Sequence, residues 1–291
     1  MEARSRFDTN WKTRRSQLIG KAEAFKAMHS ASSPLILLNA WDAASAAVFA
    51  LAGAAALGTT SAGVAWSAGY PDGERMRFAD LLRTVANICR VVQVPVSVDI
   101  ERGFGADPSE VARNVAAAID AGAIGVNIED GIDPATNELR PAQIAAERIA
   151  AIREAANELG VPLFINARTD VYFLPALEPQ CRFEEAAERL TQYALAGADG
   201  AFAPGLTDTS EIVRLVARLS LPLNVYAGYA GVPPIAHLAA AGARRVSVGC
   251  GPFQGLLGQA AEMSREILER GTYDGMVRGA LPAATVNSLF L

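Results

Sequence analysis

Asp99 and Glu101 stand one residue apart in Val98-Asp99-Ile100-Glu101-Arg102-Gly103-Phe104-Gly105, and a second acidic pair, Glu129-Asp130, follows downstream. On an extended backbone, residues two apart share a face, so both carboxylates of the first pair are expected to point the same way. Asp72 adds another acid in Gly69-Tyr70-Pro71-Asp72-Gly73. Carboxylates that converge without a base beside them repel, and each would tend to keep its proton. A hard divalent cation removes that conflict, and oxygen ligands, several acting through water, suit Mg2+ or Mn2+. The competing reading is a set of salt bridges to nearby arginines. Arg168, in Asn166-Ala167-Arg168-Thr169-Asp170, offers a planar fork that pairs bidentately with a substrate carboxylate. It could equally neutralise Glu129. Thr60-Ser61-Ala62-Gly63 supplies small residues whose backbone N–H groups could approach an anionic oxygen. The two histidines, His29 and His237, fall in helical segments away from these acids, which argues against a His-ligated Zn2+ site or a Ser-His-Asp triad.

These side chains sit at the ends of apolar runs, and the runs define the elements that must position them. Short apolar stretches recur at 35–39, 54–60, 95–99, 123–129, 162–168, 199–203, 222–226 and 245–248. Amphipathic helical stretches separate them at 78–92, 108–121, 141–158, 182–196, 210–219 and 232–241. Three of these helices run into Gly122, Gly197 and Gly242, each followed by Ala; glycine there supplies a left-handed cap before the next strand. Near-continuous apolar strands alternating with helices indicate a parallel sheet covered on both faces. Eight units favour a closed (β/α)8 (TIM) barrel over an open doubly wound sheet. Asn39, Thr60-Ser61, Asp99, Glu129-Asp130 and Arg168 end five consecutive strands, and in a barrel such ends converge on one mouth. Residues 1–291 read as one domain, with helical segments at 12–29 and 252–291 bracketing the barrel.

The bulk properties agree. A chain of 291 residues with net charge −5 and no Lys/Arg run offers no basic face for nucleic acid or an anionic membrane. The Ala-rich stretch 43–57 is too short to span a bilayer. Cys89, Cys181 and Cys250 are odd in number and widely spaced, as expected of reduced thiols in the cytoplasm, and the polar N-terminus has no signal-like apolar segment.

Taken together, Asn39-Ala40-Trp41-Asp42-Ala43-Ala44-Ser45-Ala46, the Thr60 and Gly69 segments, Asp99 to Gly105, Asn127-Ile128-Glu129-Asp130 and Ala167-Arg168-Thr169-Asp170 resemble the isocitrate lyase / phosphoenolpyruvate mutase superfamily. They occur in family order over residues 35–170. The resemblance implies Mg2+ held at Asp99, Glu101 and Glu129, with Asp72 close by. A substrate carboxylate would meet Arg168 and the loop around Ser61. It implies C–C or P–C bond chemistry beside a 2-oxo acid, and a homo-oligomeric dimer of dimers in which subunits exchange the barrel's eighth helix, here the segment after Gly251. The chain departs from the family's lyases after the fourth strand, where residues 129–141 carry no Cys, His or Lys in place of a lid motif. Decarboxylation of a 2-oxo diacid such as oxaloacetate survives that loss, because bond breaking there needs no dedicated base. Cleavage of a substituted malate would need one, with Asp72 or a bound water as candidates. Phosphonomutase or phosphonopyruvate hydrolase chemistry is the alternative, followed by a phosphate-binding barrel and a non-catalytic binder of 2-oxo acids. Trp41, Asn224 and Tyr226 are further candidates for the pocket, each with packing or structural hydrogen bonding as the competing role. Asp42 is expected to cap a helix, and Cys250 to be an inert thiol near the mouth.

Overall fold

The computed structural model describes residues 2–133, 135–174 and 176–291, with side chains from Trp11 onward. Eight parallel strands close into a barrel: β1 (Leu35–Ala40), β2 (Leu57–Thr59), β3 (Val96–Asp99), β4 (Gly125–Glu129), β5 (Phe164–Arg168), β6 (Gly200–Phe202), β7 (Leu223–Tyr226) and β8 (Arg245–Ser247), with β8 returning to β1. All eight expected apolar runs carry a barrel strand. The second shortens most: it starts only at Leu57, after a turn through residues 52–56, and Thr60 leaves it to cap the helix that follows.

Helices α1 (Glu2–Met28), α2 (Ala43–Leu51), α3 (Ser61–Ser67), α4 (Phe78–Val91), α5 (Pro108–Ala121), α6 (Ala142–Leu159), α7 (Pro179–Leu195), α8 (Thr209–Arg218), α9 (Ile235–Ala240) and α10 (Gly251–Arg265) alternate with the strands. Helix α1 begins well before the expected residue 12, and α3 was not anticipated. Asp42 caps α2 through a reciprocal box with Ser45. Asp107 caps α5, which opens on Pro108 and ends at Gly122 with φ 115°, a conformation open to glycine. The helices shield the outer faces of the strands, so β2 and β3 are buried throughout.

Phe25 from α1 closes the N-terminal floor of the barrel, edge-on to Phe164 at 5.4 Å. Beyond the eighth strand, α10 buries none of its residues, and Leu256 and Leu257 stay half exposed. Ile132–Asp133 pairs antiparallel with Glu138–Leu139 in the stretch after β4, where the resemblance leads to a lid motif being expected. Pro134, part of that segment, lies outside the described residues. Among the described residues no helix is long and apolar enough to cross a membrane.

Candidate active site

A cavity of about 140 Å³ opens at the C-terminal ends of the strands. Asn39, Thr60, Ser61 and Ala62 form one wall, and Asp72, Asp99 and Arg168 supply its charge. Phe173, Phe202, Pro204 and Tyr226 form an apolar side, and Ser247, Gly249 and Cys250 close it at the end of the eighth strand. Its volume is well below the roughly 300 Å³ at which sites for drug-sized ligands begin, which suits a molecule of few heavy atoms.

Arg168 ends β5 directly opposite Glu129 on β4. Its Nη1 lies 2.9 Å from Glu129 Oε2 and its Nε 2.6 Å from Asp170 Oδ1. Burial alone would weaken its charge, but Asp170, Glu129 and Asp99 outweigh that and hold the guanidinium firmly protonated. The rings of Phe173 and Phe202 flank it at 6.0 and 5.9 Å. The neutralising contact with Glu129 is therefore present, and Arg168 also faces the cavity.

The acids are crowded. Burial raises the carboxyl of Asp99, opposed by Arg168 and reinforced by Asp72. Burial likewise pushes Glu101 up to about 8, with Asp99, Asp72 and Glu74 adding to the effect. Glu129 is raised well above its ordinary value, chiefly by burial, against the pull of Arg168. Yet these carboxylates do not form a ready ligand cage: among the described residues no group of three or more His, Cys, Asp or Glu is placed to hold a metal. The shared face expected of Asp99 and Glu101 fails because β3 stops at Asp99 and Glu101 turns at φ 50°. Glu101 and Glu129 lie outside the cavity wall, while Asp72 sits on an exposed rim loop. The donor chemistry still fits Mg2+, which keeps several waters and takes one or two carboxylates directly. Asp99 and Asp72 are the two that face the cavity.

Several other expected binding residues turn out to be tied into the scaffold. Asn39 Nδ2 donates to Thr59 O, and its Oδ1 accepts from the amides of Val248 and Gly249. The Ser61 amide donates to Asp99 Oδ2 at 3.2 Å, so it aims the carboxylate instead of standing free for a substrate oxygen. Thr60 Oγ1 caps α3 by accepting from Gly63 N. Trp41 lies off the cavity, edge-on to Phe253 at 5.0 Å and Phe49 at 5.9 Å. Gly63 is off it too: a Cβ there would meet Thr60 at 2.6 Å and Trp41 at 3.1 Å. Asn224 is buried below, donating to Ser247 Oγ. Asp130, the partner of Glu129 in sequence, is a structural node accepting from Thr169, Tyr193, Arg189 and the Gly131 and Asp170 amides.

Two residues that sequence reasoning passed over belong here. Asn127 lines the cavity two positions before Glu129, and Asp170 braces Arg168 from two positions beyond it. Both were visible as polar neighbours in otherwise apolar or strand-ending motifs.

The architecture and charged mouth define a barrel enzyme of the lyase and mutase type, and comparison with known proteins agrees. The profile of the Phosphoenolpyruvate phosphomutase family matches residues 25–268, and the chain belongs to that family, within the isocitrate lyase / phosphoenolpyruvate mutase superfamily. An uncharacterized Mycobacterium tuberculosis protein is 36% identical over 252 residues, covering 84% of this chain and 88% of the relative. The 2-methylisocitrate lyase of Salmonella typhimurium is 31% identical over 218 residues, covering 73% of this chain and 72% of that enzyme. A Burkholderia cenocepacia J2315 crystal structure with a provisional phosphonomutase assignment superposes with TM-score 0.80 at 44% identity, covering 84% of this chain and 99% of its own.

Proposed function

We propose that this chain is a Mg2+-dependent enzyme that cleaves a C–C bond in a small 2-oxo or 2-hydroxy diacid such as oxaloacetate or a substituted malate. The observation that carries the reading is one small cavity lined by Arg168 on one side and by Asp99 and Asp72 on the other. Asp99 and Asp72 would hold the ion, with Glu101 and Glu129 behind them supplying negative charge. When bound, Mg2+ would withdraw electron density from the carboxylate and 2-oxo oxygens of the substrate.

The chain's own residues do the rest. Arg168, braced by Glu129 and Asp170, fixes the substrate carboxylate. Ser61 holds Asp99 in place through its amide and turns its own side of the wall toward the substrate. Phe173, Phe202, Pro204 and Tyr226 exclude water from the bond that breaks. Among the described residues Arg168 is the sole cationic side chain in the wall.

The test is oxaloacetate turnover by the purified protein with and without Mg2+, alongside calorimetric titration with oxalate. Ion-dependent pyruvate release is expected. No turnover together with no Mg2+-dependent oxalate binding would overturn the reading. We propose also that the exposed apolar residues of α10 pack against a second copy, giving a homo-oligomer. A light-scattering mass equal to one chain would refute that.

A further inference from the structure

Beneath the cavity lies a polar layer that an ordinary barrel core does not need. Arg245, at the start of β8, is 1% exposed and stacks over the Phe25 ring at 5.9 Å. Among the described residues its Nε and Nη1 have no hydrogen-bond partner, and neither do the nearby side-chain oxygens of Asn166, Asn224 and Ser97. Burying a guanidinium with unmet N–H groups is unfavourable, and an apolar side chain would fill the space at less cost. What Arg245 does reach is Asn127: its Nη2 donates to Asn127 Oδ1 at 3.1 Å, and Asn166 Nδ2 donates to the same oxygen at 2.9 Å.

This convergence settles which way the Asn127 amide points. A guanidinium has donors and no acceptor, so the atom facing it must be the oxygen. The Asn127 nitrogen is turned the other way. Among the described residues Nδ2 has no hydrogen-bond partner, yet it is not among the side-chain atoms sealed from solvent, and Asn127 lines the same cavity as Asp99 and Arg168. The layer has been given room for this: a Cβ at Gly200 would stand 2.7 Å from Asn166 Oδ1.

We propose that Asn127 is a substrate-contacting hydrogen-bond donor, its N–H held toward the cavity by Arg245 and Asn166. The inference rests on the proposed reading of the cavity as a 2-oxo-acid site. Arg245 acts as a positioning residue. Its charge polarises the amide, strengthens the far N–H as a donor, and places positive potential below the spot where an enolate-like oxygen gains charge. Burial lowers Arg245 to about 9, against the opposing influence of Asp99, so it is cationic at neutral pH. The ligand atom opposite Asn127 is accordingly an acceptor, a carbonyl or enolate oxygen.

Oxalate, a planar dianion resembling the enolate of pyruvate, is the probe, titrated calorimetrically in the presence of Mg2+ with thermal melts to confirm folding. Asn127→Leu and Asn127→Asp should each weaken oxalate by about 10- to 100-fold, the usual loss for a hydrogen bond to a charged group. The aspartate variant gives Arg245 a carboxylate partner and so keeps the interior satisfied. Arg245→Met should weaken oxalate by about 5-fold and Arg245→Lys much less; the Asn127→Leu/Arg245→Met double variant should be no worse than Asn127→Leu alone. If the wild type binds oxalate and either folded Asn127 variant binds it as tightly, the inference is overturned while the site reading stands. Should the wild type itself fail to bind oxalate, the site reading falls and takes this inference with it.

Discussion

The two ends of the barrel bury polar groups in opposite ways. At the floor, His29 stacks on Phe164 at 4.0 Å, donates Nδ1–H to Phe25 O at 2.8 Å, and is driven neutral by burial. The group gives up its charge and the packing is apolar around it. At the mouth, Asp99, Glu129 and Asp170 surround one guanidinium, and burial and mutual repulsion raise the carboxyls of Asp99, Glu129 and the neighbouring Glu101 without removing the conflict. The floor meets burial by giving up charge, with His29 Nε2 left unpartnered among the described residues, whereas the mouth calls for further positive charge. That difference separates a stability region from a working one, and it exposes each to a different kind of disruption.

The largest effect should come from the mouth. Arg168→Lys replaces a fork that serves Glu129, Asp170 and the cavity with a point charge that cannot serve all three. We expect kcat/KM on oxaloacetate to drop by roughly 100- to 1,000-fold, with KM raised as well as kcat lowered. The urea midpoint should fall only modestly, because Lys keeps the charge that Glu129 and Asp170 face. Steady-state kinetics beside equilibrium unfolding would check this, and a variant that loses stability instead of activity would erase the distinction between the two ends.

Phe25→Ala probes the floor. Phe25 is fully buried, edge-on to Phe164 and beneath Arg245, and its loss leaves a cavity that the closed barrel cannot collapse. A loss of about 3 kcal/mol in unfolding free energy is expected. A shift below about 1 kcal/mol would mean that α1 is not a structural plug.

The contrast also explains what could be read before the structure. All eight strands were legible, since a doubly covered parallel strand must be apolar along its length, and the glycine caps marked where helices stop. The convergence of Asn39, Asp99 and Arg168 on one mouth followed from barrel topology alone. What the residues could not disclose was side-chain direction at strand ends. Glu101 looked like a partner of Asp99 on one face, but a left-handed turn intervenes. Ser61 looked like a free backbone donor, but α3 begins there and its amide is taken by Asp99. Trp41 looked like a pocket aromatic, yet Phe253 from a distant part of the chain claims its face. Arg245 read as the first residue of an apolar strand, and nothing local shows that its side chain runs inward beneath Asn127.

A smaller effect concerns pH at the mouth. Glu101 is raised from 4.5 to about 8, chiefly by burial, so folded protein keeps a proton that the unfolded chain releases. Stability from this group is therefore present at low pH and declines as pH rises from about 4.5 toward 8. Mg2+ should reverse the trend, because ion binding displaces that proton and tightens by up to about tenfold per pH unit in the window. Thermal melts across pH with and without Mg2+ would show two curves diverging upward in pH. Parallel curves would remove Glu101 from the ion's surroundings.

The smallest expected effect is the mirror image at the floor. His29 is lowered from 6.5 to about 3, mainly by burial and then by Arg245, against the hydrogen bond to Phe25. Here the unfolded chain binds the proton that the folded one refuses. Its contribution is complete above pH 6.5 and is lost as pH falls through that value toward 3. Replacing His29 with Gln keeps polar capacity without the titration, so its unfolding free energy should fall less steeply than wild type between pH 6.5 and 5. If both proteins lose stability at the same rate, the acid sensitivity does not belong to His29, and the floor is as indifferent to protons as its aromatic packing would suggest.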